Sequence, residues 1–118
     1  MNIYQVSEPT HDVPRDSEYR LVDMAIDQAI VSFSYAKVGD AMTCHLATDK
    51  KGKRYLRRAA KAFCGFIFNT YKPVAIVIAV GPRSVVNLAL KCGFIITGGG
   101  ESVSGDKITV LELKQCHL

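Results

Sequence analysis

Seven cations (Lys50, Lys51, Lys53, Arg54, Arg57, Arg58 and Lys61) fall within twelve consecutive positions, and Gly52 sits among them. Before them, Met42, Cys44 and Leu46 alternate with Thr43, His45 and Ala47, which is the period of a strand. Asp49-Lys50-Lys51-Gly52 breaks that period, and a helical one takes over from Lys53. A strand that turns through a glycine into a basic helix is an anion site by construction. The backbone N–H groups of Lys51, Gly52, Lys53 and Arg54 would point at a phosphate, helped by the helix dipole and the side-chain charge. The plainer reading of the same cations is a solvated helix face. A third is a nucleic-acid contact along Lys50–Lys61, although no RNA- or DNA-binding motif accompanies it.

His45 is the one residue of the alternating segment able to act as a base, because an imidazole titrates near pH ~6.5. The competing reading is a half-buried strand histidine. His11 and His117 lie near the two ends, too far away in sequence to suggest a metal site with it. Cys44, Cys64, Cys92 and Cys116 form no C-x-x-C pair, so they read as reduced, mostly buried thiols of a cytosolic or virion setting. Gly98-Gly99-Gly100 reads as a flexible turn, since it lacks the strand-to-helix context of a phosphate loop. Tyr55 is the one aromatic within the basic run that could meet a base or an adenine.

The elements that must position these groups follow from pattern. Ile3 to Val6 predicts a short strand, and Pro9 and Pro14 mark Ser7 to Arg15 as a loop. Asp16 or Ser17 can cap a helix in which Leu21, Val22, Ala25, Ile26, Ala29 and Ile30 recur at helical spacing. Val31, Phe33 and Tyr35 then alternate with smaller residues, predicting a strand to Val38. Leu56, Ala60, Phe63, Ile67 and Tyr71 form one face of an amphipathic helix from Lys53 to about Tyr71, with the cations towards the other. Pro73 to Val80 reads as a strand covered on both faces. Ser84 to Cys92 is a short helix closed by Gly93, and Phe94–Thr97 and Ile108–Leu113 are the last strands. No internal repeat is visible.

The chain has 118 residues, 48% of them hydrophobic and 22% charged, which suits one domain with a real core and excludes disorder and a disulfide-dense mini-protein. The charge is segregated. Residues 1–49 carry three Lys/Arg against eight Asp/Glu, a balance of −5, and residues 50–118 carry twelve against three, a balance of +9. The acidic half could meet a neighbour's basic half. The charged first twenty residues predict no signal peptide, and the longest apolar run, from Pro73 to Gly81, is short of the ~20 residues that cross a bilayer.

At its strand, basic turn and helix the chain resembles the GNAT N-acetyltransferases. In that family the turn after the central strand carries Q/R-x-x-G-x-G/A and cradles the pyrophosphate of coenzyme A. The matching stretch is Asp49-Lys50-Lys51-Gly52-Lys53-Arg54. A second family motif, N-x-x-A-x-x-L-Y-E-K-x-G-F, aligns with Pro82 through Phe94, matching at Leu88, Lys91, Gly93 and Phe94, with Val85 apolar. The resemblance spans roughly residues 41–113, and the amino-terminal third is short for the family. It implies a single α/β (α+β) domain over residues 1–118, a mixed, mostly antiparallel sheet with helices on both faces. It further implies acetyl-CoA held by Lys51, Gly52, Lys53 and Arg54, and His45 as the base.

Three departures bear on activity. Arg54 stands where the close approach of a pyrophosphate wants Gly or Ala, Pro82 replaces the family's Asn, and Ala89 occupies the position that usually holds the general-acid Tyr. The strand from Ala41 to Thr48 also lacks a carboxylate. The pattern of Ala47-Thr48-Asp49 before a very basic helix is similar to the small acetyltransferase-like proteins of tailed bacteriophages, including an internal virion protein of short-tailed phages. This resemblance implies a structural or binding component of a virion or other assembly. Protein partners or self-assembly would follow, in the host cytoplasm or the virion and away from membranes. The alternative is an active acetyl-CoA-dependent N-acetyltransferase acting on an amine.

Overall fold

The chain, described over residues 2–118 by a computed structural model, is organised by one strand pairing that the helical spacing of Leu21 to Ile30 concealed. In place of a helix from Asp16 to Ile30 there is a hairpin: β2 (Arg20–Ile26) pairs antiparallel with β3 (Ala29–Val38). Asp27, with φ of 53°, makes its turn. Both periods fit this stretch. The strand period prevails because Val22, Met24, Ile26, Val31, Phe33 and Tyr35 then all bury on one side, each at most 2% exposed.

Around this hairpin lie β1 (Asn2–Gln5), β4 (Ala41–Ala47), β5 (Ile76–Val80), β6 (Ile95–Glu101) and β7 (Lys107–Leu113), giving a seven-stranded sheet in the order β1-β2-β3-β4-β5-β7-β6. Every pairing is antiparallel except β4 with β5. The sheet is therefore mixed and mostly antiparallel, as expected. The Gly98–Gly100 run, read as a turn, instead lies inside β6, where flat glycines continue the ladder to β7 past a bulge at Thr97.

The expected basic helix is divided. A single turn, α1 (Lys50–Lys53), is followed after Arg54 and Tyr55 by α2 (Leu56–Tyr71). Helix α2 buries Ala59, Ala60, Phe63, Cys64, Ile67 and Phe68. The Phe63 ring stacks on Phe33 with centroids 4.1 Å apart. A short helix, α3 (Arg83–Lys91), packs beside α2, where the Cys92 thiol reaches the carbonyl of Arg57 at 3.9 Å. Gly93 ends α3 with φ of +102°, and a Cβ there would overlap the carbonyl oxygen of His117, so the expected glycine stop is also a close approach.

Helices α2 and α3 pack side by side on one face of the sheet. The other face of β2 and β3 is covered by the segment from Ser7 to Tyr19, which runs without regular structure. Buried Val13 helps to seat it, and Asp23 and Ser32, which alternate with the core residues, anchor it. Thr10 donates to Asp23 from its backbone N–H at 3.2 Å and from its hydroxyl at 2.7 Å. Ser32 donates to Asp23 at 2.6 Å and accepts from the His11 N–H at 2.9 Å. Strand β5 is likewise covered on one face only: Ile76 and Ile78 are buried, but Ala79 is exposed.

Candidate functional site at the split in the sheet

Strands β4 and β5 touch at one end only. Their single paired position is Met42 with Ile76, supported by the Met42 N–H donating to Ala75 at 3.0 Å and the Val74 N–H to Asp40 at 3.1 Å. Beyond it the strands part, and a cavity of about 310 Å³ opens between them. Its wall is apolar: Phe33 and Leu46 on the sheet side, Ala60 and Phe63 from α2, and Val85 and Leu88 from α3. Pro14 of the covering segment stands at its rim, and Ala89, the expected position of a proton donor, is a bare methyl in its wall.

His45 lines the same cavity from β4. Burial lowers its pKa from the ordinary imidazole value, which keeps the ring neutral at pH 7. The hydroxyl of Tyr19 lies 3.3 Å from its Nε2, and the two rings meet edge to face with centroids 5.6 Å apart. Directly across the ladder from His45, Ser34 is fully buried and its hydroxyl has no partner. Sequence reading missed Tyr19, because a helix over Asp16–Ile30 would have turned it away from β4. Only the strand assignment of Arg20–Ile26 could have revealed it.

The expected phosphate corner is built differently. The Asp49 carboxylate accepts the Gly52 N–H at 3.1 Å, capping α1, so that donor is already engaged by an anion belonging to the chain. Gly52 is buried, and a Cβ there would overlap the Thr48 hydroxyl, which donates to the Ile30 carbonyl at 2.8 Å. Gly52 thus serves the packing of the turn against Thr48. Lys51, Lys53 and Arg54 are exposed, and the Arg54 guanidinium sits over the Tyr55 ring, 5.3 Å from its centroid. The structure therefore brings His45 to the cavity and leaves Lys51, Lys53 and Arg54 as exposed residues outside its lining.

Three thiols, Cys44, Cys64 and Cys92, line the cavity. Burial pushes Cys44 up to about 12 and raises Cys64 and Cys92, in the last case against the pull of Lys61 and Arg57. All three are held as thiols at pH 8 and are poor nucleophiles. Cys116 is exposed. Treating the native protein with a thiol-reactive disulfide at pH 8 is therefore expected to release one equivalent quickly, and four after denaturation. More than one fast equivalent would show the cavity open to solvent. Among the described residues, no three His, Cys, Asp or Glu side chains gather to hold a metal ion, and no helix is long and apolar enough to cross a membrane.

No family model matches the sequence, and no curated protein matches it. Among solved structures, the chain is similar to a variant of the spermidine N-acetyltransferase SpeG of Vibrio cholerae, with TM-score 0.69, 14% identity, and coverage of 85% of this chain and 68% of that one. It is equally similar to the N-acetyltransferase PseH of Campylobacter jejuni in complex with acetyl coenzyme A, at TM-score 0.69, 15% identity, and 85% and 70% coverage. An aminoglycoside acetyltransferase in complex with coenzyme A and kanamycin gives TM-score 0.69, 11% identity, and 85% and 69% coverage. The chain has the GNAT acetyltransferase fold.

Proposed function

We propose that the chain is an acetyltransferase-fold protein that works as a binding or structural component of an assembly, phage-encoded and virion-associated, with its transfer chemistry eroded. The observation that carries this reading is the Asp49 carboxylate on the Gly52 N–H, which puts a negative charge where a backbone cradle would receive a pyrophosphate. Ala89 supports it, because no hydroxyl reaches the cavity from α3. Thr48-Asp49, which follows β4 and precedes seven cations in a pattern similar to the phage proteins, supports the virion setting.

The fit to acetyl-CoA is divided. The apolar cavity between β4 and β5 suits a slender thioester arm, and PseH holds acetyl coenzyme A on the same fold. The Gly52 corner suits the phosphates poorly, because the Gly52 N–H is taken by Asp49, leaving the exposed side chains of Lys51, Lys53 and Arg54 to meet them. Calorimetric titration with acetyl-CoA is expected to give a Kd weaker than about 100 µM, and a panel of amines is expected to show no turnover. Micromolar binding with turnover on any amine would overturn the reading.

The second reading, an acetyl-CoA-dependent N-acetyltransferase, is favoured by one observation: His45 lines the cavity and is hydrogen-bonded to Tyr19. An acyl thioester bound there supplies the activated acetyl group. Neutral His45 can take the proton of an attacking amine and return it to the departing sulfur, while Tyr19, hydrogen-bonded at Nε2, holds the ring in place. On this reading His45→Gln lowers turnover by about 10²–10⁴-fold, and Tyr19→Phe lowers it less, while acetyl-CoA affinity stays unchanged. Unchanged turnover in both variants would sink it.

A further inference from the structure

The fold separates the two charge populations onto opposite faces. Glu8, Asp12, Asp16 and Glu18 are exposed on the segment that covers the Asp23–Ser32 face of the sheet. Lys50, Lys51, Lys53, Arg54, Arg57, Arg58 and Lys61 are exposed on α1, α2 and their junction, and α2 packs on the other face. With the sheet between them, one copy cannot join its own acidic segment to its own basic ridge. Among the described residues the ion pairs are Arg15 with Glu8 at 2.6 Å and Arg15 with Asp12 at 3.7 Å, both inside the acidic segment. All seven cations of the ridge are left without an acidic partner.

We infer that the basic ridge of one copy docks on the acidic segment of a second copy. This deepens the structural-component reading by naming the partner. Two features select a second copy over a nucleic acid. A polyanion would neutralise the ridge but be repelled by an amino-terminal half carrying −5, whereas a second copy answers both patches at once. The two patches also differ from each other and lie on opposite faces. Each docking therefore leaves one acidic and one basic patch free, and the contact is heterologous: it repeats head to tail into a ring or a filament.

Charge carries this contact, so screening dissolves it. Raising the salt from about 10 mM to about 1 M shortens the reach of charge from about 30 Å to about 3 Å. Sedimentation of the full chain is expected to show species larger than the 12.9 kDa monomer at the lower salt and monomer at the higher. Reversing the ridge in Arg57→Glu/Arg58→Glu/Lys61→Glu, or the segment in Asp12→Lys/Asp16→Lys/Glu18→Lys, is expected to leave each variant monomeric at low salt, with its circular dichroism unchanged. Mixing the two variants is expected to restore association as a one-to-one pair, because the first keeps the native acidic segment and the second keeps the native seven-cation ridge. A monomer at low salt, association indifferent to either reversal, or assembly only on added single-stranded DNA would overturn the inference. The acetyl-CoA titration is read separately: micromolar binding with turnover would end the structural-component reading and leave the docking result standing.

Discussion

Gly52→Ala is expected to destabilise the protein by about 2–4 kcal/mol, the sum of overpacking a closed site and weakening one buried hydrogen bond. The added methyl would occupy the space of the Thr48 hydroxyl, which is held by the Ile30 carbonyl at 2.8 Å. The residue cannot yield by turning outward, because its own N–H is fixed by Asp49 and its carbonyl accepts the Tyr55 N–H at 2.9 Å. Thermal melts of a double-mutant cycle test this. In a Thr48→Ala background the hydroxyl and its methyl partner are gone, so Gly52→Ala is expected to cost at least about 1 kcal/mol less than in the parent chain. Equal costs in both backgrounds would show that Thr48 is not what excludes a side chain. The result also bears on function, because a Gly52 variant that lost a ligand would have lost its fold first. Substitution of Arg54, which is exposed, probes the phosphate question without that confusion.

The strand and helix that form the corner were legible because their patterns are local. Met42, Cys44 and Leu46 alternate, and Leu56 to Tyr71 repeats at helical spacing, so both elements could be placed from the sequence, while the separate turn α1 at their junction could not. The purpose of Gly52 was not legible. A glycine before a basic helix looks the same whether it admits a phosphate or the hydroxyl of Thr48, and the difference lies in a contact with Ile30, eighteen positions away from Thr48. The hairpin from Arg20 to Val38 was obscured for a different reason. Small and apolar residues at Val22, Ala25, Ile26 and Ala29 satisfy both periods, and only pairing of β2 with β1 and β3 decides between them. Tyr19 disappeared with that hairpin, and with it the partner of His45.

Asp23 was equally hidden, since one aspartate among eight acidic residues of the first half carries no mark of burial. Yet it is 2% exposed and accepts from the backbone and hydroxyl of Thr10 and from the hydroxyl of Ser32. A buried carboxylate surrounded by donors cannot be removed without stranding them. Asp23→Ala leaves three donors short of an acceptor and is expected to cost about 3–5 kcal/mol, in the range for breaking a buried charged network. Asp23→Asn keeps one acceptor oxygen and is expected to cost less. The loss should concentrate in the covering segment: limited proteolysis between Ser7 and Tyr19 is expected to accelerate, and amide exchange at Thr10 and His11 to rise, before β3 and α2 lose protection. Because that segment brings Tyr19 to His45 and Pro14 to the cavity rim, Asp23 governs the site from a distance without touching it. Uniform loss of protection across sheet and segment alike would instead make Asp23 part of the global core, and the covering segment would not be a separately anchored unit.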